Sequence, residues 1–469
     1  MRMIEITGYA PRPGELIGFR PVAGAVAAAA TAPVHPAPPS HLQENHIRRI
    51  LANRAAGRAQ SSWVGVAFDV PGRLDTAAMA RAFGTWVRRH PTLLTWFTPD
   101  GDLLQRRAVP AEVFAVEPVP LGTYGSGTDV RDRLWQHIAS GTSPLSWPSF
   151  VAGAVLRDEG DTSTVWFGVD HSHSDGYSAT LVFAELRALY EAERSGGEAL
   201  LPPVDSYVDY CVQDRERAAL IGADDPGVRR WVDFYRAGPP PGFPLDLGTE
   251  PGAGHPGVPV ERELFDAAEA EAFSEVCKRL GAGFMAGVLA SLAVTGHDLG
   301  GVERYRGLSV VHTRTERRWQ RTQGWLVNLI PVEFPAADGF GKAVIEAQEA
   351  LATAREAAGV TPMRVMELAP ELAGTVQPGT AAAYPMVSYL DGRHVPGSRD
   401  WAAADYNGLE GPGTSGEVNL WVNRLWDRTY VKTRYPDTPA ARRNVPRFLN
   451  HLRDVLRTVA RTGDTVTRL

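Results

Sequence analysis

Cysteine is scarce in this chain, and no apolar run is long enough to suggest a membrane segment. The 469 residues contain only Cys211 and Cys277, so a disulfide framework is not needed and we expect a reducing compartment. The first residues lack a basic segment followed by an apolar run, and the alanine-rich stretch at residues 23–31 is short and flanked by prolines. We therefore expect a cytoplasmic protein with no membrane span.

An excess of positive charge is also missing. The formal net charge is -6, with 44% hydrophobic and 22% charged residues, which is an ordinary balance for a globular protein. Nucleic-acid binding requires clustered basic residues, so we expect no nucleic-acid partner. A local basic patch could still bind the phosphates of an acidic donor, and the net charge leaves that question open.

The chain is too long for a single hydrophobic core, which predicts two lobes. We place the first lobe at residues 1–200 and the second at residues 201–469, because residues 200–203 begin a connector. The first forty residues are rich in proline and alanine, and they predict extended or loop structure with a short strand at residues 4–7. Helical and strand patterns alternate in both halves, so each half is predicted to be an α/β sandwich.

Periodicity and capping residues locate the expected elements after the N-terminal region. Helices are predicted near residues 40–44, 75–89, 131–140, 178–194, 207–220, 227–235, 267–280 and 440–458. Strands are predicted near residues 63–70, 150–156, 163–169, 258–264, 307–311, 326–333, 384–390 and 418–423, with a turn at Gly160 between the second and third.

Residues 170–176, with the sequence DHSHSDG, form the segment most suggestive of chemistry. A strand pattern ends at Asp170, and a helical pattern begins just after Gly176. The N-terminus of a helix offers unpaired N–H groups and positive potential, so a base here lies where oxyanion charge could be stabilised. Gly176 allows a turn or the close approach of a substrate. The plain structural alternative is that Asp175 caps the helix and the two histidines are surface residues.

A metal site is another interpretation of this loop. His171, His173 and Asp175 alternate as in the His-x-His-x-Asp-His ligand loop of the metallo-β-lactamase fold, and alternating histidines can bind zinc. Gly176 follows Asp175, however, so the ligand for a second metal is missing. The remaining histidines are scattered and form no recognisable ligand cluster, and we expect no metal here.

The loop also resembles the His-His-x-x-x-Asp-Gly motif of the condensation-domain and polyketide-associated acyltransferase superfamily. Asp170 replaces the first histidine, and His171 occupies the second position, which is the functional one in that family. Residues 89–97, RHPTLLTWF, resemble the upstream motif Arg-His-Glu-x-Leu-Arg-Thr-x-Phe without its Glu and second Arg. Residues 324–331, GWLVNLIP, resemble the downstream motif Gly-x-Phe-Val-Asn-Thr-x-Pro.

Other segments indicate which branch of the superfamily is closest. Residues 206–210 and 243–248 resemble stand-alone acyltransferases of actinobacterial lipid and natural-product pathways. The Asp-Phe-Gly-Trp-Gly segment of peptide-synthetase condensation domains has no counterpart, and residues 388–392 lie in its place. Both features favour a free-standing enzyme.

The resemblance implies two chloramphenicol-acetyltransferase-like lobes in a V, with an active-site tunnel between them. The N-terminal lobe would carry the motif loop, and the C-terminal lobe would carry the interlobe connector and the floor and latch segments. The implied activity is the transfer of an acyl or aminoacyl group from a phosphopantetheine thioester on an acyl or peptidyl carrier protein to a small-molecule alcohol or amine. This reaction would form an ester or amide in nonribosomal peptide, polyketide or related natural-product biosynthesis. No bound cofactor is expected, because the donor carries the phosphopantetheine.

The resemblance also implies roles for individual residues. His171 would take a proton from the acceptor as it attacks the thioester, or would stabilise the charged tetrahedral intermediate. Asp175 would turn away and pair with an arginine, either Arg89 or Arg314, so that the pair and Gly176 keep the shape of the loop.

Three further residues are expected at the tunnel wall: Tyr177, Trp325 and Asn328. His173 is expected to have a structural role. Three other functions remain open from sequence: an acyl-CoA-dependent transferase making a glycolipid or lipid ester, a non-catalytic module that recruits carrier proteins, and a metal-dependent hydrolase.

Overall fold

The computed structural model describes residues 1–57, 62–157, 162–250, 254–336, 339–374 and 385–464. The chain divides into two compact units, each with helices and a seven-stranded sheet, and the first unit also contains a three-stranded sheet. The first unit contains Met1–Arg217, Arg314–Leu326 and His394–Pro412. The second unit contains Ala218–Thr313, Val327–Arg393 and Gly413–Leu469. The first change of unit therefore lies after the expected boundary at residue 200, and two later segments return to the first unit.

The strands are β1 Arg2–Glu5, β2 Gly14–Pro21, β3 Val34–His35, β4 Trp63–Pro71, β5 Thr95–Asp100, β6 Leu103–Ala108, β7 Val116–Tyr124, β8 Phe150–Leu156, β9 Thr162–Asp170, β10 His255–Asp266, β11 Arg304–His312, β12 Val327–Pro335, β13 Met386–Asp391, β14 Asn407–Glu410, β15 Thr414–Ser415, β16 Asn419–Arg424 and β17 Arg428–Pro436. The α-helices are α1 Ala23–Ala30, α2 His41–Ala55, α3 Thr76–Arg89, α4 Gly127–Gly141, α5 Gly176–Ser195, α6 Tyr207–Leu220, α7 Pro226–Arg236, α8 Ala267–Arg279, α9 Phe284–Gly300, α10 Phe340–Ala354, α11 Pro362–Leu368 and α12 Pro439–Thr462.

The first unit is organised around a sheet with the strand order β1-β14-β4-β9-β8-β2-β7. In this sheet β1 and β14 are parallel, and the other neighbouring strands are antiparallel. Trp166 on β9 packs against His137 of α4, with the ring centroids 5.6 Å apart, whereas Phe167 packs against Phe83 of α3 at 6.0 Å. Successive side chains of a strand point to opposite faces, so helices cover both faces of this sheet.

The ends of β9 and α5 place the 170–176 loop where the sequence predicted it. Asp170 caps a short 3-10 turn at His171–His173 by accepting a hydrogen bond from the backbone N–H of Ser172. Asp175 then caps α5 by accepting from the N–H of Ser178. The loop is therefore fixed at both ends by carboxylates that satisfy otherwise free N–H groups.

The second unit contains a sheet with the strand order β12-β11-β13-β16-β17-β10-β15. Helix α12 packs on β10 and on α8 and α9, and it buries a stripe of apolar residues that includes Leu449, Leu452 and Leu456. No single helix in the described ranges is long and apolar enough to cross a membrane, although α8 and α9, bent by 93°, pass the test of length and composition as a pair.

The N-terminal region differs most from the prediction. Residues 14–21 form β2, which lies inside the sheet between β8 and β7, and residues 23–30 form helix α1. Proline and glycine flank these elements, and their stability comes from partners distant in sequence, so local patterns could not identify them. Other elements that were not predicted are strands β3, β5, β6, β7, β14, β15 and β17 and helices α9, α10 and α11. The turn expected at Gly160 and the predicted strand start at Tyr384 lie outside the described residues.

Candidate active site

His171 begins the 3-10 turn that follows β9. Its backbone N–H donates to the carbonyl of Ser62 at 2.8 Å, which continues the β4–β9 pairing beyond the Trp63 and Asp170 pair. Its ring lies against that of Trp325, with centroids 4.2 Å apart. Nδ1 is buried and forms no hydrogen bond with another described residue, whereas the residue as a whole is partly exposed. Nε2 is therefore the nitrogen left to meet a substrate.

The surroundings of His171 favour its neutral form. Burial, and then the nearby His46, lower its pKa below the ordinary value, while the residue's own backbone, Asp170 and Asp175 act in the opposite direction. A lowered pKa leaves the imidazole unprotonated near neutral pH. This is the form that can accept a proton from an attacking hydroxyl or amine.

Asp175 is bound on both carboxylate oxygens. Arg314 Nη1 donates to Oδ2 at 2.9 Å, and Nη2 donates to Oδ1 at 3.1 Å. Backbone N–H groups of Ser178 and Leu326 donate at 2.7 and 2.9 Å. Burial alone would raise the pKa of Asp175, but Arg314 and these donors lower it below its usual range. The carboxylate is thus ionised and immobilised, and its hydrogen bonds go to Arg314, Ser178 and Leu326.

Arg89, the other candidate partner of Asp175, lies elsewhere. Its Nε and Nη2 are each 3.4 Å from Glu185 Oε1 on α5. His90 Nε2 is 2.6 Å from Glu185 Oε2, and Trp86 Nε1 donates to the same oxygen at 3.0 Å. The upstream motif therefore joins α3 to α5 through one buried carboxylate, and the geometry selects Arg314 as the partner of Asp175.

The remaining residues of the loop have distinct surroundings. Gly176 is exposed at the first position of α5, and Arg314 lies over the ring of Tyr177, with Cζ 4.9 Å from the ring centroid. His173 is fully buried, with Nδ1 3.1 Å from Thr92 Oγ1. Burial lowers the pKa of His173 to about 4, so it remains neutral. His173 therefore lies in the protein interior, with Thr92 as its polar neighbour.

Asn328 belongs to the second unit, and its side chain is engaged with backbone. Its Nδ2 donates to the carbonyls of Ala358 and Val360 at 2.9 and 3.0 Å, and its Oδ1 accepts from the N–H of Leu329. These bonds tie β12 to the segment after α10. A place for Asn328, Tyr177 and Trp325 at a tunnel wall stays a prediction.

The metal interpretation of the loop needs Asp175 as a ligand, and this carboxylate is engaged elsewhere. Both oxygens of Asp175 are occupied by Arg314 and backbone N–H groups, and Nδ1 of His173 faces Thr92. Within the described ranges, no group of three or more His, Cys, Asp or Glu residues is arranged to hold a metal ion.

Two residues of α2 contact the His171–His173 turn and were missed by sequence reasoning. Gln43 Nε2 donates to the carbonyl of Ser172 at 2.8 Å, and His46 Nε2 lies 3.3 Å from Asp170 Oδ1. Residues three apart in a helix share a face, so the spacing of Gln43 and His46 was a usable signal. It was not decisive, because many polar residues of a helix face solvent.

Comparison with known proteins identifies relatives along nearly the whole chain, although no family model matches it. The 2'-acyl-2-O-sulfo-trehalose (hydroxy)phthioceranyltransferase PapA1 of Mycobacterium tuberculosis is 31% identical over 472 residues, which cover 99% of this chain and 89% of the relative. The trehalose-2-sulfate acyltransferase PapA2 of Mycobacterium bovis is 31% identical over 457 residues, covering 95% of each.

Solved structures match as well. The PapA2 acyl transferase superimposes with a TM-score of 0.89 at 29% identity, covering 98% of this chain and 100% of that one. The first condensation domain of the calcium-dependent antibiotic synthetase has a TM-score of 0.67 at 17% identity over 91% of this chain and 97% of that one, and it shows a shared fold alone. The predicted chloramphenicol-acetyltransferase-like fold with two α/β lobes is confirmed.

Proposed function

The chain belongs to the Pap acyltransferases of the condensation-domain superfamily, and we propose that it transfers an acyl group from a phosphopantetheine thioester to a sugar hydroxyl. The predicted acyltransferase activity is confirmed by this membership. The names of PapA1 and PapA2 describe acylation of trehalose derivatives, which supports the ester-forming alternative over amide formation. We further propose that a carrier protein presents the donor and that the protein itself holds no cofactor.

The observation that carries the chemistry is the position of His171, a partly exposed residue beside the N-terminus of α5 whose Nδ1 is buried. In the proposed reaction, Nε2 takes the proton of the acceptor hydroxyl as its oxygen attacks the thioester carbonyl. The carbon–sulfur bond of the resulting tetrahedral intermediate breaks, and the imidazolium returns the proton to the departing thiolate. The products are an ester and a free phosphopantetheine thiol.

Direct transfer to the acceptor is supported by the state of the two cysteines. Cys211 is fully buried, and burial raises the pKa of its thiol. Burial likewise raises the pKa of Cys277 to about 12. A thiol must be ionised to act as a nucleophile, so neither cysteine is suited to form an acyl-enzyme.

The donor and acceptor can be tested by mass spectrometry. Purified protein is incubated with an acyl-loaded carrier protein or the matching acyl-CoA, and with trehalose, trehalose 2-sulfate or a primary amine of similar size. We expect an ester on a sugar, formed faster from the carrier protein. Amide as the main product would contradict the proposed acceptor, and a clear preference for acyl-CoA would contradict the proposed donor.

The role of His171 is tested by His171→Ala, with the exposed His297→Gln as control. We expect His171→Ala to retain the folded structure, measured by circular dichroism and thermal unfolding, and to lose transfer by about 100-fold or more. His297→Gln should transfer at the wild-type rate. Near-native turnover by His171→Ala would overturn the proposed base.

A further inference from the structure

The carboxylate that precedes His171 is fully buried and depends on a histidine of another element. Asp170 Oδ1 accepts from the N–H of Ser172 at 2.9 Å and lies 3.3 Å from His46 Nε2, and Oδ2 accepts from the hydroxyl of Ser62 at 2.7 Å. Burial alone would raise the pKa of Asp170, but His46 and the Ser172 donors lower it well below its usual range. A buried carboxylate needs such partners, because an unpaired one is costly.

The contact at Nδ1 of His46 indicates which of its ring nitrogens carries the proton. Arg49 Nη2 lies 3.4 Å from His46 Nδ1, and a guanidinium can only donate hydrogen bonds. In the neutral imidazole Nδ1 therefore accepts, and the proton lies on Nε2. His46 Nε2 then lies 3.3 Å from Asp170 Oδ1, a close polar contact that is not aligned as a hydrogen bond, so that Arg49, His46 and Asp170 form a row of polar contacts.

The same histidine reaches His171 through an aromatic contact. The ring of His46 contacts the ring of Trp325 edge-on, with centroids 5.2 Å apart and ring planes at 85°. The ring of Trp325 in turn lies tilted against that of His171, with centroids 4.2 Å apart. The centroids of His46 and His171 are 6.2 Å apart. One turn earlier in α2, Gln43 holds the turn by its donation to the carbonyl of Ser172. Helix α2 therefore braces the His171 turn at its backbone and at the ring that packs on the imidazole.

We propose that His46 is a positioning residue that sets the orientation of the His171 ring through Asp170 and Trp325. The inference rests on the proposed function, because it concerns the base of that reaction. A base misplaced by about 1 Å can lose on the order of 100-fold in rate, so the brace acts on turnover more than on substrate binding. The charged and titratable groups facing His171 are His46 from α2, Asp170 from β9 and Asp175 from α5, with Arg49 and Arg314 paired behind them.

Two amide variants separate positioning from bulk structure. In His46→Gln the amide nitrogen can occupy the place of Nε2 and donate to Asp170, whereas in His46→Asn the shorter side chain cannot. We expect His46→Gln to keep kcat within about 3-fold of wild type and His46→Asn to lower it about 10- to 100-fold, with KM changed less than about 3-fold in both.

The matched control is His41→Gln. His41 is also buried on α2 and also lies beside a carboxylate, with Nδ1 3.4 Å from Asp214 Oδ2, but it is the first residue of the helix, more than one turn before His46, and its partner is not Asp170. Its kcat should equal that of wild type. Equal kcat values for His46→Gln and His46→Asn, measured on folded protein, would overturn the proposal.

A second readout decides the question if His46→Asn does not fold. Asp170→Asn keeps the shape and can keep an acceptor for Ser172, but it removes the charge that raises the pKa of His171. We expect lower kcat and an acid limb of the kcat/KM profile that moves to lower pH. If Asp170→Asn keeps both the kcat of wild type and an acid limb at the wild-type pH, the proposal is overturned. Inactive His171→Ala beside wild-type-like Asp170→Asn would reject this inference alone, whereas active His171→Ala would reject the proposed function.

Discussion

Arg314 holds Asp175 at two points, although 139 residues separate them in the sequence. Both side chains are 3% exposed, so the pair is shielded from solvent and from salt. The same carboxylate caps α5 and accepts from the backbone of Leu326. The pair therefore connects the 170–176 loop to the segment that carries Trp325, and its loss should affect stability and activity together.

Asp175→Asn should destabilise the protein by about 3–5 kcal/mol, because it leaves the buried guanidinium of Arg314 without its anion. Urea unfolding at pH 7 measures this cost, and turnover should fall as well. The control is Asp400→Asn, which removes an exposed partner of Arg187 at 2.7 Å and should cost at most about 1 kcal/mol. Equal costs for the two variants would show that the buried pair has no special importance.

The local elements of this fold could be predicted from sequence where one signal was sufficient. Helix α6 begins at Tyr207 and ends at Leu220 as predicted, and the predicted strand at residues 150–156 is β8. The 170–176 loop was identified because a strand pattern, a short polar segment and a helix start follow one another. In these segments the periodicity reports burial directly.

Long-range partners could not be predicted in the same way. Sequence offered Arg89 and Arg314 equally as partners of Asp175, and only the folded chain shows that Arg89 is bound to Glu185. Strand β2 was missed because its position inside the sheet comes from β7 and β8. The role of His46 was missed for the same reason, since its contact with Asp170 spans two elements.

Two motif glycines should respond in opposite ways to the same substitution. A Cβ on Gly324 would lie 2.3 Å from Cγ of the buried Tyr207 ring, so Gly324→Ala should cost about 1–3 kcal/mol. A Cβ on Gly176 meets no described atom within 4 Å, so Gly176→Ala should leave thermal stability unchanged or slightly higher. A fall in kcat/KM for Gly176→Ala at unchanged stability would then report the close approach of substrate. A stable Gly324→Ala would contradict the steric argument.

His173 should make the protein less stable in weak acid. Burial lowers its pKa from 6.5 to about 4, so the unfolded chain binds the proton first as the pH falls. Its contribution to stability is therefore complete above pH 6.5 and is lost between pH 6.5 and about 4, by about 3 kcal/mol in total. His173→Asn can keep the bond to Thr92 but cannot titrate. The slope of unfolding free energy against pH should be shallower in this variant, and an identical slope would contradict the prediction.

Glu417 should make the protein less stable as the pH rises, which is the opposite of the pH dependence expected from His173. It is a buried carboxylate in the second unit, and burial raises its pKa to about 7, although the backbone N–H groups of Val418 and Phe243 donate to it. A raised folded-state pKa means that the stabilising contribution is complete below the unfolded value of about 4.5 and is lost as the pH rises through about 7.

The change amounts to about 3 kcal/mol between pH 5 and pH 8, and Glu417→Gln should remove it, because a glutamine oxygen can accept both N–H bonds without becoming charged. Urea unfolding at the two pH values measures the difference. Glu417→Gln should equal or exceed the wild type in stability at pH 8 and lose that advantage at pH 5. A wild-type difference between the two pH values that persists in the variant would assign the pH dependence to other groups.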